Sequence, residues 1–477
     1  MSVRTRFAPS PTGLLHIGSA RTALFAYLYA KKHGGQFILR IEDTDKEREV
    51  EGAIGHIIQS LKWLGITWQE GPDVDGPFGP YIQSGRLPLY RKYAEQLLLS
   101  GFAYPDPYTE EGVSAFRAKA EEEKRPFLFR DHRPAEIQEW NGKSPLRLRV
   151  PEVKRYEWVD AVRGPLSAGE EALDDFIILK GDGYPTYNFA HVVDDIEMQV
   201  THVMRGEEFI SSTPKFLSLY EALEQPAPIF ATVPPILGAE GTKKLSKRDG
   251  AQDVLEYRDA GFMPEALCNY LSLLGWNPGT EQELFSMDEL AEAFDLPQIQ
   301  RSGAQFDMEK LQFFNREWMR KLSDGEYIER GAFAQEGDMR LPKAIPLLKE
   351  RAHTFVEARE MLDTGELSCL FEMPILSKEQ LIAKETGEGS TIQHLTSIAE
   401  MLAPLHEEER SEEIKARLMP YADAQEAAQK GGRGAVLWPL RYALSGKDRS
   451  PDPFTLIAIL GKDEALVRIR AALGILG

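Results

Sequence analysis

The sequence predicts an α/β protein that carries an insertion and ends in an all-helical half. Three observations support this prediction: strand and helix patterns alternate over the first hundred residues, a charge-rich segment with short strand patterns follows from about residue 101, and strand patterns nearly vanish after about residue 322. Alternating strands and helices are typical of a parallel sheet covered by helices. At 477 residues the chain is too long for a single core, so we expect several domains.

The first elements are a strand, a turn and a helix. VRTRFA alternates Val3, Thr5 and Phe7 with two arginines, which predicts a short strand with both arginines on one face. A turn rich in proline and glycine leads into SARTALFAYLYAKK, an apolar helix pattern that stops at Gly34 and Gly35. QFILRIED then predicts a buried strand that ends in acidic residues.

The next predicted helix follows this second strand. Thr44 and Glu47 have the spacing of a capping box, in which each residue satisfies a free N–H group at the start of a helix. Five apolar residues then recur at helical spacing and predict its buried face: Val50, Ile54, Ile57, Ile58 and Leu61. Strand, helix, strand, helix therefore predicts a parallel α/β sheet.

From about Gly101 to about Gly181 the pattern changes. EEGVSAFRAKAEEEKR predicts a charged helix, and PLRLRV and DFIILK predict short strands, which together indicate an insertion. THVMRGE and PIFATVPPIL then predict that the first sheet resumes. After about Leu322, long amphipathic patterns such as SIAEMLAPLHEEERSEEIKARL predict helices to the end of the chain.

Composition restricts the class of function. The chain is 42% hydrophobic, and no apolar run approaches the roughly 20 residues that span a bilayer, so we expect no membrane partner. Its start lacks the apolar core of a signal peptide, and its two cysteines fit a reducing cytoplasm, where we place it. The net charge of −19 by itself argues against a nucleic-acid binder, although a basic face can coexist with an acidic remainder.

Two loops carry residues suited to nucleotide chemistry. His16 and Gly18 lie where the first helix begins, and a helix N-terminus offers free N–H groups to a phosphate. GTKKLSKRDG places Lys244 and Lys247 between glycines, and lysines can stabilise the charge on a departing phosphoryl oxygen. Each pattern alone is weak, since the first also fits an ordinary turn and the second a solvated surface loop.

Taken together, the two loops resemble the His-Ile-Gly-His and Lys-Met-Ser-Lys-Ser signatures of class I aminoacyl-tRNA synthetases. The resemblance is closest to bacterial glutamyl-tRNA synthetases and extends over nearly the whole chain. Eight segments carry it: RFAPSPTGLLHIGSARTALF, RIEDTD, LKWLGI, GYPTYNFAHVVDD, THVMRGEE, KLSKRDG, PEALCNYLSLLGW and PLRYALSGKDRSPDPFTLIAILGK.

The resemblance implies a reaction and a set of site residues. Such an enzyme activates L-glutamate with ATP and Mg²⁺ to glutamyl-AMP and transfers glutamate to the 3′ terminal adenosine of tRNA(Glu). The residues matching catalytic positions are His16, Lys244 and Lys247. Those matching ATP-binding positions are His16, Gly18, Glu208, Leu237, Lys244, Ser246 and Lys247. Those matching glutamate-binding positions are Arg6, Ala8, Ser10, Glu42, Tyr187 and Arg205. Guanidinium groups suit a substrate with two carboxylates, and Glu42 would receive its ammonium group.

The resemblance also implies an architecture. We expect a doubly wound, Rossmann-like catalytic domain with an inserted α+β domain, followed by an all-helical anticodon-binding half. The implied boundaries are a catalytic first half at 1–100, an acceptor-stem-binding insertion at 101–181, a catalytic second half at 182–240, a stem-contact domain with the lysine loop at 241–321, and the anticodon-binding region at 322–477. We expect a monomer.

The chain departs from the family pattern at several positions. Ser19 replaces the second histidine of the class signature, and Leu245 and Arg248 replace Met and Ser in the lysine loop. His191 stands where relatives often have Asn or an apolar residue, and we favour a neighbour of the pocket with satisfied hydrogen bonds over direct substrate contact. Some relatives bind zinc through cysteines where this chain has Asp106 and Tyr108, so we expect no zinc site.

Other functions are less consistent with the sequence. An ATP-dependent ligase without tRNA would not need the helical half, and an inactive paralogue would not need His16, Gly18, Lys244 and Lys247. A truncated enzyme that modifies a tRNA base should lack the helical half, and a glutaminyl enzyme should carry β-barrels there. The sequence leaves open whether tRNA(Gln) is also charged. Arg351 falls where discriminating relatives carry an arginine that reads the last anticodon base, which favours discrimination slightly.

Overall fold

The computed structural model describes residues 2–238, 240–241, 243, 245, 253–383, 387–407, 409–428 and 431–477. Its strands are β1 (Arg4–Phe7), β2 (Gln36–Leu39), β3 (Ala103–Pro105), β4 (Leu146–Leu148), β5 (Tyr156–Asp160), β6 (Gly164–Ala168), β7 (Ile177–Leu179), β8 (His202–Gly206), β9 (Ile229–Val233), β10 (Ile236–Leu237) and β11 (Ala304–Gln305).

The α-helices of these residues are α1 (Ile17–Lys32), α2 (Ala53–Trp63), α3 (Leu87–Leu99), α4 (Glu110–Glu122), α5 (Tyr187–Glu197), α6 (Thr213–Ala222), α7 (Val254–Asp259), α8 (Pro264–Leu273), α9 (Met287–Ala293), α10 (Met308–Lys321), α11 (Asp324–Gly331), α12 (Arg340–Arg351), α13 (Phe355–Asp363), α14 (Lys378–Leu381), α15 (Glu388–Leu402), α16 (Ser411–Ala428), α17 (Gly434–Ser445), α18 (Pro453–Leu460) and α19 (Lys462–Leu476).

Four parallel strands form the central sheet of the described chain, in the order β2-β1-β8-β9. The direction of strand addition reverses beside β1, because β2 lies on one side of it and β8 and β9 lie on the other. A sheet with such a reversal opens a crevice at the carboxyl ends of the strands on either side of it. The predicted doubly wound α/β domain is therefore confirmed, and its switch point lies between β1 and β8.

Strand β1 separates the two helical layers that cover the sheet. The Thr5 hydroxyl donates to the Ala26 carbonyl of α1, 2.8 Å away. On the opposite face, Arg4 donates to the Met198 carbonyl at the end of α5, and Arg6 pairs with Asp195 of α5. Alternating side chains of a strand point to opposite faces, so the predicted placement of both arginines on one face is correct.

The insertion forms the α+β unit that the sequence predicts. Strands β3, β4 and β7 make an antiparallel sheet, and β5 and β6 make a hairpin. Thr109 caps α4 by accepting a hydrogen bond from the Gly112 N–H group. The insertion sheet shares one apolar core with α3, α5, α6 and the parallel sheet, as shown by the buried residues Ala103, Leu146, Leu148, Phe189, Val203, Phe216 and Phe230.

The predicted capping box at Thr44 and Glu47 is wrong. Residues Lys46–Arg48 form only a short 3-10 turn, and α2 begins at Ala53 after Gly52, whose φ is 80°. Tertiary hydrogen bonds hold this segment away from helical geometry, since the Glu42 and Val50 N–H groups donate to the carbonyls of Pro9 and Pro11. Val50, predicted on the apolar face of the helix, lies outside it and is exposed.

The chain divides into two compact units. One contains residues 1–259 and 264–314, and the other contains 260–263 and 315–477. Among its described residues the second unit is helical, as predicted, although the pattern SIAEMLAPLHEEERSEEIKARL belongs to two helices, α15 and α16. Within this unit the Asn315 side chain accepts from the Met263 N–H group and donates to the His353 carbonyl, which joins 260–263 to the helices.

A search of the described residues for a helix that could cross a membrane finds none that is sufficiently long and apolar.

Candidate functional site

A cleft of about 480 Å³ lies at the carboxyl ends of β1 and β8, at the switch point of the sheet. Open α/β sheets bind their ligands at this position. Nine of the residues singled out from the sequence line the cleft: Arg6, Ala8, Ser10, His16, Gly18, Glu42, Tyr187, Arg205 and Glu208. The fold thus brings together residues that are up to two hundred positions apart in the chain.

The turn between β1 and α1 forms one wall of the cleft. His16 is the N-cap of α1, and its Nδ1 accepts a hydrogen bond from the Ser19 N–H group. A Cβ atom at Gly18 would lie 3.2 Å from the His16 ring, so a larger residue would press on the imidazole. The wall presents an exposed histidine and the N-terminus of a buried helix, which is a favourable position for an anion.

A buried ion-pair network forms the floor. Arg6 contacts both carboxylate oxygens of Asp195, at 3.2 and 3.5 Å. Arg40 is fully buried and pairs with Asp195 at 2.8 Å and with Glu42 at 3.0 Å. Arg86 pairs with Asp194 at 2.7 Å. Arg6 lies on β1, Arg40 directly follows β2 and Arg86 directly precedes α3, whereas α5 supplies the two aspartates.

Burial and charge shift the pKa values of this network. Burial opposes ionisation of Asp195, but the charges of Arg6 and Arg40 outweigh it and hold its pKa well below the usual range. At Glu42 burial is the stronger effect and raises the pKa to about 6, against the lowering charges of Arg40 and Arg6. Asp195 is therefore a permanent anion, whereas Glu42 can change its charge near neutral pH.

Arg205 occupies a different environment from the other buried arginines. Its Nη2 donates to Thr213 Oγ1, while its Nη1 is buried without a hydrogen-bond partner among the described residues. Its guanidinium lies over the rings of Phe216 and Phe230, 4.5 Å from each centroid. Burial lowers the pKa of Arg205 to about 10, which leaves it charged at neutral pH. It is a desolvated cation with a donor still available.

His191 lies beneath the cleft and is not a satisfied histidine. Burial lowers its pKa to about 4, so its ring is neutral at pH 7. Neither ring nitrogen has a hydrogen-bond partner in the described part of the chain, and Nδ1 lies 3.7 Å from Asp195 Oδ2. The ring packs against Tyr187, with centroids 5.0 Å apart, and against Phe216 at 4.3 Å. Tyr187 in turn lines the cleft, so His191 supports a residue of the cleft wall.

The described residues of this network carry an excess of positive charge. Four guanidinium groups, those of Arg6, Arg40, Arg86 and Arg205, accompany the three carboxylates of Glu42, Asp194 and Asp195. Buried charges are costly unless they are paired. The cleft is therefore suited to a ligand that carries net negative charge.

The remaining predicted ATP positions lie beyond this network. Glu208 is exposed, and its carboxylate occupies the space that a Cβ atom at Gly206 would fill. Leu237 follows Ile236, a residue of the cleft wall, in β10, and its carbonyl accepts from the Phe306 N–H group. Lys244, Ser246 and Lys247 lie outside the described residues.

Arg351 and the zinc-equivalent positions have protein partners. Arg351 ends α12 and pairs with Glu366, with a third of its side chain exposed. Asp106 pairs with Arg147, and the Tyr108 hydroxyl donates to the His132 carbonyl. In the ranges that the structure describes, no group of three or more His, Cys, Asp or Glu side chains is placed to hold a metal ion.

Sequence reasoning missed the residues that organise the floor. Arg40 and Asp195 both belong to segments that carry the family resemblance, RIEDTD and GYPTYNFAHVVDD, but neither was assigned a role. Two adjacent acidic residues next to apolar positions are a signal for a buried ion pair. Their partners could not be deduced, because β2 and α5 meet only in the folded chain.

Two family models match the chain. Residues 2–313 match "tRNA synthetases class I (E and Q), catalytic domain", and residues 309–473 match "Anticodon binding domain". Together the two matches extend over almost the whole sequence.

Curated relatives and solved structures agree with these matches. The chain is 41% identical to the glutamate–tRNA ligase of Anaeromyxobacter sp. (strain Fw109-5), over 99% of each chain. It is 43% identical to that of Clostridium botulinum (strain Hall), over 98% of this chain and 97% of the relative. A crystal structure of a glutamate tRNA ligase from Elizabethkingia meningosepticum in complex with its amino acid superposes over all of both chains with a TM-score of 0.88 and 35% identity. The chain therefore belongs to the class I tRNA synthetases and, within that class, to the glutamate–tRNA ligase family.

Proposed function

We propose that this protein activates L-glutamate with ATP to form glutamyl-AMP and pyrophosphate, and then transfers glutamate to the 3′ terminal adenosine of tRNA(Glu). The observation that carries the proposal is the buried network with one excess positive charge at the switch point of the sheet. Glutamate carries two carboxylates and one ammonium group, so its net charge balances that excess.

Charge and geometry suggest how glutamate binds. Arg205 has an unused Nη1 donor and would bind one substrate carboxylate, next to the Tyr187 hydroxyl. Glu42 would accept the ammonium group, while Ser10, Ala8 and Arg6 form the adjoining wall. Because Arg6 is already bound to Asp195, its main contribution is a fixed positive potential.

ATP would lie along the other wall. His16 and Gly18 at the start of α1 would contact the nucleotide phosphates, and Glu208 and Leu237 would lie near the rest of the nucleotide. Lys244 and Lys247, with Ser246, would stabilise the departing pyrophosphate. Mg²⁺ would enter with the phosphates of ATP, which are its preferred partners.

In the proposed reaction the protein's own groups chiefly position and stabilise charge. One carboxylate oxygen of glutamate attacks the α-phosphorus of ATP, and the bond to the bridging oxygen of pyrophosphate breaks. Lysines that contact this leaving group lower the barrier because its negative charge increases in the transition state. A ribose hydroxyl of the 3′ terminal adenosine of tRNA then attacks the acyl carbon and loses its proton, and AMP departs as the leaving group.

We further propose that the insertion at 101–181 contacts the acceptor stem and that residues 322–477 bind the anticodon. The match of residues 309–473 to an anticodon binding domain supports the second assignment. Arg351 would read the last anticodon base from the end of α12, where it pairs with Glu366. Releasing that pair would free a guanidinium for a base edge.

A charging assay tests the proposal. The full-length protein, with ATP and Mg²⁺, should attach glutamate but not glutamine to tRNA(Glu) and release pyrophosphate. If Arg351 discriminates, tRNA(Gln) should be charged poorly, whereas equal charging of both tRNAs would identify a non-discriminating enzyme. If neither tRNA is charged, the proposed function is contradicted.

The lysine loop provides a sharper test within the same assay. Lys247→Ala should lower kcat by about 100-fold, the size of effect typical for losing one transition-state charge partner. The KM for glutamate should remain nearly unchanged, because the amino acid binds elsewhere. A variant with wild-type kcat would show that the loop is an ordinary surface loop.

A further inference from the structure

His56 of α2 joins two segments, at Leu15 and at Asp253, that are more than two hundred residues apart in the sequence. Its Nδ1 accepts a hydrogen bond from the Leu15 N–H group at 3.3 Å, with Ser60 Oγ at 3.4 Å from the same atom. Its Nε2 lies 3.1 Å from Asp253 Oδ1. A ring nitrogen that accepts an N–H group cannot carry a proton, so the proton lies on Nε2 and is donated to Asp253.

Asp253 uses the same oxygen to organise the start of α7. Oδ1 also accepts from the Leu255 and Glu256 N–H groups, at 2.8 and 3.3 Å. The backbone of the next residue, Val254, donates to the Leu15 carbonyl at 2.9 Å. The backbones of His16 and Asp253 also form an antiparallel bridge. The segment at Asp253 is therefore fastened directly to the His16 turn.

Both ends of this connection are close in sequence to segments that we propose bind ATP. Leu15 and His16 line the cleft, and His16 caps α1. Asp253 follows Lys247 by six positions in the sequence. The side chains of His56 and Asp253 are each 15% exposed, so water competes little with their hydrogen bond.

We propose that His56 and Asp253 are a pair of positioning residues for ATP activation. This inference rests on the proposed function and assigns the pair no contact with substrate. The pair holds the start of α7 against the His16 turn and so keeps this nucleotide-binding turn in place. Small displacements of groups that act in a transition state have large effects on rate. Loss of the pair should therefore lower kcat more than it changes substrate binding.

Amide substitutions separate the two hydrogen bonds of His56. His56→Asn places an oxygen near the position of Nδ1 and can still accept from Leu15, but it is too short to reach Asp253. His56→Gln can extend an N–H donor to the position of Nε2. We expect about a 10-fold fall in kcat for His56→Asn, and a kcat within about 3-fold of wild type for His56→Gln.

Substitutions at Asp253 complete the test. Asp253→Ala should lower kcat about as much as His56→Asn, and the double variant should be no slower than either single variant, as expected for residues that act as one unit. Asp253→Asn retains an acceptor oxygen and should remain near wild type. His33→Ala, an exposed histidine at the other end of α1, is the control and should leave kcat and the KM for glutamate unchanged.

The assay is tRNA charging by the full-length protein, with kcat and the KM values for ATP and glutamate measured separately and the melting temperature recorded. Wild-type kcat in both His56→Asn and Asp253→Ala would overturn the inference. Losses in kcat that add up in the double variant would also overturn it. So would a fall in kcat that parallels a fall in melting temperature and is matched by an equal rise in the KM for glutamate, because that result would indicate a purely structural pair. A wild-type chain that charges no tRNA would instead contradict the proposed function.

Discussion

At the scale of single residues, the buried arginines of the cleft have different tasks. Arg40 pairs with Glu42, Asp194 and Asp195, and Arg86 pairs with Asp194 and donates to the carbonyls of Phe78 and Pro80. Arg205 contacts aromatic rings and one hydroxyl, with Nη1 unused within the described residues. An arginine that is paired with carboxylates stabilises the fold, whereas a buried arginine with no carboxylate partner has a hydrogen-bond donor available for a ligand.

Arg205→Lys tests this distinction. Lysine keeps the charge but loses the planar pair of donors, so the KM for glutamate should rise by about 10-fold or more while the KM for ATP changes little. Steady-state charging kinetics measure both constants. The matched variant Arg86→Lys should lower the melting temperature without a selective change in glutamate use. Equal damage to both substrates by Arg205→Lys would contradict the assignment.

Glu42 predicts a pH dependence of glutamate binding. Burial raises its pKa to about 6, so Glu42 becomes neutral as the pH falls through that value and can no longer balance an ammonium charge. The KM for glutamate should therefore rise by about 10-fold between pH 7 and pH 5. Glu42→Gln should have a high KM that varies much less over this range. A wild-type KM that stays constant from pH 7 to pH 5 would contradict the role of Glu42.

At the scale of elements, α5 organises the cleft through its helical spacing. Tyr187, His191 and Asp195 recur every four residues and therefore lie on one face. The first lines the cleft, the second supports the first from below, and the third binds Arg6 and Arg40. One helix thus connects an exposed residue of the cleft wall to the buried charges of Arg6 on β1 and Arg40 directly after β2.

His191 should make the stability of this arrangement depend on pH. Its pKa is about 4 in the folded chain and 6.5 in the unfolded chain, so the unfolded chain binds more protons between these values. Stability should therefore fall as the pH decreases from 6.5 to 4, by up to about 3 kcal/mol from this group.

The comparison variant for this prediction is His191→Asn, which cannot titrate. Urea unfolding between pH 4.5 and pH 7.5 should show a weaker loss of stability in the variant than in the wild type. If the free energy of unfolding depends on pH in the same way in both proteins, His191 does not take up a proton on unfolding between pH 6.5 and pH 4, and the prediction is wrong. Since His191 does not line the cleft, we expect the variant to charge tRNA at a rate within about 10-fold of wild type.

At the scale of the whole molecule, a net charge of −19 must coexist with the tRNA binding that the family implies. Net charge is a sum, so basic residues on one face can bind phosphates while acidic residues elsewhere set the total. Phosphate contacts release counterions and so weaken with salt, whereas contacts to a buried amino-acid site are screened much less.

Salt should therefore act mainly on tRNA. Raising KCl from about 50 to about 200 mM should increase the KM for tRNA by about 10-fold or more, which corresponds to roughly two phosphate contacts. The KM for glutamate should change by less than about 2-fold, because its site lies in a buried network. Charging assays at several salt concentrations measure both. A KM for tRNA that does not respond to salt would contradict phosphate-based binding.

Local sequence was sufficient for the elements of this protein whose interactions are local or periodic. Strand β1, helix α1 with its glycine stop, the α+β insertion and the helical second unit all followed from alternation, helical spacing and glycines at the expected ends. The cleft residues identified through family resemblance, from Arg6 to Glu208, do line one cavity. Motifs are predictable in this way because short segments carry both their conformation and their characteristic side chains.

Only the tertiary structure decided which groups are paired and which are left with free donors. Thr44 and Glu47 form no capping box, because hydrogen bonds from the flanking Glu42 and Val50 N–H groups to the carbonyls of Pro9 and Pro11 hold that segment in another conformation. The pairing of the Arg6 guanidinium with Asp195 and the unused N–H donor of Arg205 likewise depend on strands and helices that meet only after folding. Local patterns determine periodicity and turn chemistry, whereas burial, partners and pKa values depend on contacts between distant segments, which a single sequence does not specify.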